Sequence, residues 1–283
     1  MGFDSKSSSS RQFTTKNLQQ ILETTFIQAV DYHDTVASTN NLALQTAARY
    51  DGPLPLLIVT EQQTGGRGRG SNTWWSSQGA LTFSVMLDAG PLALPVRCWP
   101  QASLATGLSV CEAVEHFLRP AQAGVKWPND VWVGGRKLCG ILVEAPPDAS
   151  ERLVLGIGIN VNNSALDAPP ELQETAVAMC DVSGANYQLT DVLSAVLLRL
   201  AHWLPRVARQ DPDMLAAWKE RCVLKGRGVT VDQDVRAVSG RCLGIDADGA
   251  LLVDTTVGVE RLLSGVVGIM PEDAIPRPPI ARR

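Results

Sequence analysis

Residues 131–161, VWVGGRKLCGILVEAPPDASERLVLGIGINV, carry the reading that decides the fold. Val131–Val133 and Leu138–Val143 are short apolar runs on either side of Gly134-Gly135, a pair that accepts positive φ and so marks a tight hairpin. Arg152–Val161 follows as a third run, of the length of a buried strand. Working outward, Leu54–Thr60 (LPLLIVT) reads as another buried strand. Leu81, Phe83, Val85 and Leu87 alternate with Thr82, Ser84 and Met86, the pattern of a strand with one dry face. Trp99–Leu118 instead places Leu104, Leu108, Cys111, Val114 and Leu118 in a helical stripe. A helix capped by Thr190 or Asp191 is expected to reach about Ala208, and another to run from Pro212 or Asp213 through Trp218. Strands and helices intermix over most of the chain, as in an α/β protein.

After Cys222 the texture changes. Val229–Val231, Val235–Leu243, Ala250–Val253 and Val266–Met270 are short strand candidates, with Asp248-Gly249 as a turn signal, and together they read as a small β-barrel. The boundary is expected near Leu224–Gly226. At the other end, residues 1 to about 24 read as a tail with a short lead-in, because the four-serine run Ser7–Ser10 cannot bury apolar surface. Pro276–Arg283 is too proline-rich to continue a helix or a central strand.

The 283 residues are 45% apolar and 19% charged, enough for a sizeable core. Lys and Arg number 25 against 29 Asp and Glu, a net charge of −4 that argues against non-specific duplex binding. No apolar run approaches the roughly 20 residues of a membrane helix, and the N-terminus has no apolar signal core. The six cysteines are scattered without a C-x-x-C pair, which excludes a clustered zinc site or disulfide framework and points to small buried thiols in a reducing compartment, the cytoplasm.

Three segments carry chemistry. Residues 61–70, EQQTGGRGRG, follow a strand and hold four glycines in six residues. Glycine N–H groups can converge on an anion, and the forked guanidinium groups of Arg67 and Arg69 suit carboxylate or phosphate. The spacing is neither a Walker A loop nor a dinucleotide fingerprint, and a hairpin tip with solvated arginines fits as well. Residues 126–130, KWPND, and 136–144, RKLCGILVE, form the second segment. From Lys126 to Lys137 there are three cations and one carboxylate. Asp130 suits a magnesium ion shared with phosphate oxygens, and Lys137, at the start of an apolar run, suits the edge of a pocket; a surface hairpin with ordinary charges is the alternative. The third segment, Ser38-Thr39-Asn40, is by itself a good helix N-cap.

Taken in order, these segments resemble biotin protein ligases. The family's Ser-Thr-Asn step stands here as Ser38-Thr39-Asn40, and its glycine-arginine loop as Gly66-Arg67-Gly68-Arg69 followed by Trp74. Its Lys-Trp-Pro-Asn-Asp stretch is Lys126–Asp130, its Lys-x-x-Gly-Ile-Leu strand is Lys137–Leu142, and Gly156–Asn162 matches a further strand. The agreement spans about residues 30–270. Two departures stand out: Gly70-Ser71-Asn72-Thr73 replaces the further basic residues of many bacterial members, and Cys139 replaces the usual Ala.

The resemblance implies a mixed-sheet α/β (α+β) catalytic domain over residues 25–223 and an SH3-like barrel over 226–272, between tails at 1–24 and 273–283. It implies two steps, in which biotin's carboxylate attacks the α-phosphorus of MgATP and a lysine of a biotin carboxyl carrier domain then attacks the adenylate. Two unit charges 4 Å apart repel by about 4 kcal/mol at an effective dielectric near 20. Fixed cations must offset that, and Arg67, Arg69, Lys126 and Lys137 are the available set.

By motif position, biotin contacts fall to Ser38, Thr39, Asn40, Gln63, Gly66, Arg67, Gly68, Arg69, Lys137 and Gly140, with the ureido ring at Ser38 and Thr39. The apolar tail is expected over Gly140, Leu142 and Gly156–Gly158, where small residues leave room. ATP and adenylate contacts fall to Arg67, Arg69, Trp74, Lys126, Asn129, Asp130 and Asn160, with Asp130 also toward Mg2+ and Lys137 and Arg69 as the catalytic pair. Fewer than 40 residues precede Ser38, which leaves no space for the helix-turn-helix domain of the family's biotin-sensing repressors. The expected partner is therefore a carrier domain of a biotin-dependent carboxylase, with no DNA or membrane, for a monomer or homodimer. The competing readings are a lipoate- or octanoate-attaching enzyme of the same fold and a non-catalytic biotin or nucleotide sensor.

Overall fold

A computed structural model describes residues 12–275 apart from Ala93, Val96, Arg97, Ser150 and Asp234; the serine run and the proline-rich end lie outside the described residues. Seven strands, β1 (Ala29–Val36), β2 (Leu56–Gln63), β3 (Ala80–Asp88), β4 (Ala123–Lys126), β5 (Asp130–Val133), β6 (Arg136–Glu144) and β7 (Arg152–Asn160), form one sheet in the order β1-β2-β3-β7-β6-β5-β4. β1 and β2 run parallel and every other neighbouring pair antiparallel, a mixed sheet. The decisive hairpin is present: Val133 pairs with Arg136 across Gly134 (φ 57) and Gly135 (φ 79). The two edge strands were not legible, because β1 (AVDYHDTV) is polar in its middle and β4 has only four residues.

The helices are α1 (Thr15–Thr24), α2 (Thr39–Ala47), α3 (Trp99–Leu118), α4 (Pro170–Gln173), α5 (Met179–Ser183), α6 (Leu189–Ala208) and α7 (Pro212–Arg221). α3 has the expected bounds, α6 starts one residue before Thr190, and α7 is capped by Asp211, whose carboxylate accepts from Asp213 N at 3.0 Å. α3 covers one face of the sheet, where Gly107 approaches Val125 and Ile141. α2 covers part of the other face, packing Ala43 and Ala47 on Ile58, Met86 and Val154. No helix among the described residues is long and apolar enough to cross a membrane.

The tail expected over residues 1–24 needs correction. α1 lies within it, capped by Thr14, and buries Ile21 while Phe13 is buried just before it. The Glu61 carboxylate fastens the segment by accepting from Gln12 N (2.9 Å) and Phe13 N (3.1 Å). A ten-residue helix is marginal alone, so packing rather than propensity secures it.

Strands β8 (Gly228–Gln233), β9 (Arg236–Ile245), β10 (Leu251–Thr255), β11 (Gly258–Leu262) and β12 (Val266–Ile269) form a second, wholly antiparallel sheet in the order β11-β10-β9-β8-β12. β11 was missed because Leu262 is its one buried residue. Val229, Val231, Ile245, Leu251 and Val253 belong to the same apolar core as the larger sheet. The turn between β9 and β10 docks on α3 and on Trp127: Trp127 Nε1 donates to Gly249 O at 2.9 Å, and Gln101 Nε2 to Ala247 O at 3.4 Å. Gly249 has φ 84, and a Cβ there would meet Leu104 at 3.1 Å.

Candidate functional site

Residues paired across neighbouring strands share a face of the sheet. On the face opposite α3, the register aligns Lys126, Asp130, Gly140, Gly158, Thr82 and Thr60 in one row. The adjacent row is Leu142, Gly156, Ser84 and Ile58. Three glycines in two rows leave a depression, and above it lies a cavity of about 970 Å³. Its walls bring together the Ser38 step, the Arg67–Trp74 loop, Lys126–Asp130, Lys137 and Gly140, segments far apart in sequence. The second sheet adds Asp232, Gln233 and Ser264–Val267, none of which was singled out from sequence.

The room expected above the glycines is already taken by the chain itself. The Trp74 indole lies over Gly140 and Gly158, where a Cβ on Gly158 would collide with the ring and one on Gly140 would come within 3.2 Å of it. The Asn40 amide fills the space over Gly156. Gly158→Val is therefore expected to push Trp74 off the floor. Tryptophan fluorescence should shift and ligand-dependent stabilisation should disappear, with a cost of about 1–3 kcal/mol for overpacking in chemical denaturation. An unchanged emission spectrum would show that Trp74 does not rest there.

Trp74 is carried by a closed loop. Trp74 N donates to Gly66 O (2.9 Å), Gly68 N to Asn72 O (2.8 Å), and Arg67 bridges to Thr73, with Gly70 (φ 60) near the tip. Gly66 sits at the loop's base rather than on the cavity wall; a Cβ there would lie 2.6 Å from Trp74 O. Of the loop's four glycine amides, Gly65 N and Gly68 N donate to the backbone oxygens of Ala37 and Asn72 and so are not free for an anion, which gives the cationic side chains the larger share of the candidate anion contacts.

Those side chains divide into paired and unpaired cations. Arg67 Nη2 donates to Glu144 Oε1 at 2.6 Å, and its Nη1 donates to Asn41 Oδ1. Lys137 Nζ lies 2.7 Å from Asp130 Oδ1. Arg69 and Lys126 have no carboxylate within ion-pair distance among the described residues. Arg69 Nη1 reaches Gly265 O at 3.4 Å, and Lys126 Nζ stands 4.7 Å from the centre of the Trp132 ring. Burial lowers the pKa of both, against the pull of Asp130, and Lys137 lowers Lys126 further. Arg67, Arg69, Lys126 and Lys137 line the cavity against Asp130 and Asp232, an excess of positive charge among the described lining residues that favours an anionic ligand.

The remaining expected residues separate by what their polar atoms do. Ser38 caps α2, its Oγ accepting from Asn41 N at 3.4 Å, and also lines the cavity. Gln63 Oε1 accepts from Thr39 N at 2.8 Å, with Thr39 Oγ1 3.1 Å away. Asn129 lines the cavity, but its Nδ2 donates to Ile141 O at 2.8 Å and so fastens the Lys126–Asp130 turn to β6. Asn160, expected at the nucleotide, does not line the cavity. It is buried, donating to Val177 O (3.3 Å) and accepting from Asn163 Nδ2 (3.0 Å), a structural tie at the end of β7. Cys139 is fully buried; burial pushes its thiol well above the ordinary value, which leaves a packing residue rather than a nucleophile. Glu144 and Ser84, which do not line the cavity but bond Arg67, Asn40 and Thr39 that do, were not singled out from sequence, although polar Thr82 and Ser84 at alternate positions of an apolar strand were the available signal.

Comparison with known proteins gives concordant matches. Residues 33–162 match the family model "Biotin/lipoate A/B protein ligase family", and residues 226–268 match "Biotin protein ligase C terminal domain". The chain is 32% identical over 235 residues to a biotin--[acetyl-CoA-carboxylase] ligase of Mycobacterium tuberculosis, covering 78% of this chain and 82% of that one. It is 30% identical over 245 residues to the bifunctional ligase/repressor BirA of Bacillus subtilis, covering 84% and 73%. Among solved structures, a biotin protein ligase from Aquifex aeolicus in complex with biotin and ATP superposes with a TM-score of 0.75 at 26% identity, over 86% of this chain and 99% of that one.

Proposed function

Because the chain belongs to the biotin protein ligase family, we propose that it is an ATP-dependent ligase that attaches biotin to a lysine of a carboxyl carrier domain through biotinyl-5′-AMP. The observation that carries this reading is the gathering of Arg69, Lys126 and Lys137 around Asp130 in a cavity that is also lined by Ser38, Thr39 and Gln63. The cations suit an acid group brought against a triphosphate; the neutral polar groups suit the uncharged ureido ring.

In the first step, biotin's carboxylate oxygen bonds to the α-phosphorus and the bond to pyrophosphate breaks. Lys137 would exchange Asp130 for the oxygens shared between these groups, and Arg69 and Lys126 would offset the remaining charge. In the second step, the carrier's amine attacks the activated carbonyl and AMP leaves. Among the described residues no three His, Cys, Asp or Glu side chains cluster to hold a metal; Asp130, which lines the cavity, would hold a magnesium ion together with phosphate and water. The ion would screen triphosphate charge.

The direct test incubates the full chain with radiolabelled biotin, MgATP and a biotin carboxyl carrier domain, with lipoate as competitor. Label on the carrier, undiminished by lipoate, is the expected result. Transfer of lipoate in its place would reassign the substrate. Arg69 also bears on retention of the intermediate. It stands on the loop and reaches Gly265 of the second sheet, so it can close the loop over the adenylate and exclude water. Arg69→Gly should release free biotinyl-AMP faster than the wild type, by on the order of tenfold. Equal release rates would remove that role.

A further inference from the structure

Glu144 ends β6, and its carboxylate divides between two elements. Oε1 accepts from Arg67 Nη2 of the loop at 2.6 Å, and Oε2 accepts from Asn40 Nδ2 of α2 at 2.8 Å. Ser84 Oγ lies 2.8 Å from both Asn40 Oδ1 and Thr39 Oγ1; with one hydrogen on each hydroxyl, Ser84 donates to Asn40 Oδ1 and accepts from Thr39 Oγ1. Thr39 N then donates to Gln63 Oε1 at 2.8 Å. A chain of contacts, Arg67–Glu144–Asn40–Ser84–Thr39–Gln63, therefore links four residues that line the cavity through Glu144 and Ser84, which do not, and joins a loop, a helix and three strands.

The four inner members, Gln63, Thr39, Asn40 and Ser84, are all buried, with Ser84 at 0% exposure. Their geometry is set by partners rather than by water. Glu144 is the one formal negative charge in the chain, and an ionised carboxylate only accepts. Together with Leu142 O, which accepts from the same Asn40 Nδ2 at 3.2 Å, it sets which way the Asn40 amide points: nitrogen toward β6, oxygen toward Ser84. It also holds one arm of the Arg67 guanidinium, whose other arm donates to Asn41 Oδ1. Lys126, Lys137 and Arg69 share no hydrogen bond with this chain of contacts among the described residues.

We propose that Glu144 is a positioning residue for the half of the cavity that receives the ring of the acyl substrate, acting through Arg67 and Asn40 and leaving the nucleotide half untouched. The assignment of the two halves rests on the proposed ligase activity; the positioning of Arg67 does not. A neutral amide of the same shape at 144 has one acceptor and one NH2 group, so it loses either the bond to the Arg67 guanidinium or the bond to Asn40 Nδ2, and it loses the charge that pairs with Arg67 in either case. An aspartate keeps the charge but is one methylene too short to hold both partners.

The test uses the full-length chain with Glu144→Gln and Glu144→Asp. Pyrophosphate release should show the KM for biotin raised about tenfold in Glu144→Gln, with the KM for ATP within about twofold of wild type and partial recovery in Glu144→Asp. A parallel rise in both KM values would reveal a merely structural role and overturn the proposal. A second measurement needs no substrate. Phenylglyoxal modification of Arg67, followed by peptide mass mapping, should be several-fold faster in Glu144→Gln than in wild type. Equal rates would overturn the proposal whichever acid the protein uses. Wild-type protein that releases no pyrophosphate with biotin would instead refute the ligase reading, while the phenylglyoxal rates still decide the role of Glu144.

Discussion

Lys137→Ala is expected to cut biotin-dependent pyrophosphate release by on the order of 10²–10³-fold, the size of effect seen when a group aimed at developing charge is removed. The fold should barely notice. The Lys137 side chain is 36% exposed, and an ion pair of that kind with Asp130 contributes at most about 1 kcal/mol. That corresponds to a melting shift of about 2–4 °C in a chain of this size. The strand itself is held by backbone bonds, Lys137 N to Thr175 O (2.8 Å) and Val177 N to Lys137 O (3.0 Å), which alanine keeps. The loss should therefore be electrostatic. Without the ammonium, Asp130 would be left facing two incoming anions with only Lys126 and Arg69 to oppose it. Near-normal pyrophosphate release in a folded Lys137→Ala protein would show that adenylation does not depend on this charge.

Removal of residues 226–283 is the second large effect, and it should abolish activity and solubility together. The two sheets share one apolar core, so truncation would expose Leu224, Trp218 and the turn beneath Gly249. Trp127 would lose the acceptor for its buried Nε1, at a cost of about 1–3 kcal/mol, and Trp127 sits between Lys126 and Asn129. Arg69 would lose Gly265, and the cavity would lose the wall from Asp232 to Val267. A soluble fragment of residues 1–225 that still labels a carrier domain at the full-length rate would refute this dependence. Circular dichroism on the same fragment distinguishes loss of the site from loss of the fold.

Legibility varied with how local the signal was. Trp99–Leu118, the Gly134-Gly135 hairpin and the strand from Arg152 carry their periodicity or turn chemistry within a few residues, and each appears where expected. β1, β4 and β11 do not: β1 and β11 are edge strands with at most one fully buried residue, so their residues need not alternate, and β4 is four residues long with three in succession buried, too short to show a period. The same difference separates the site residues. Lys126, Asp130 and Lys137 stand out as charges beside apolar strands, and the register sets Lys126 directly across from Asp130. Asn160 stands in as conspicuous a motif, yet its amide is consumed inside the fold.

The order of motifs along the chain was enough to decide the family and the mixed α/β architecture with a small second sheet, because glycine pairs, alternation and charge placement are covalent facts that folding cannot rearrange. Which cations are spent on internal carboxylates and which remain for a ligand was decided only in three dimensions. Arg67 and Glu144 lie 77 positions apart, as do many pairs that never meet, and it is the pairing of β6 with β7 and the seat of α2 across the sheet that bring them to 2.6 Å. Occupation of the glycine floor by Trp74 has the same origin: missing side chains can be read from the sequence, but what fills the space they leave depends on which distant segment packs there.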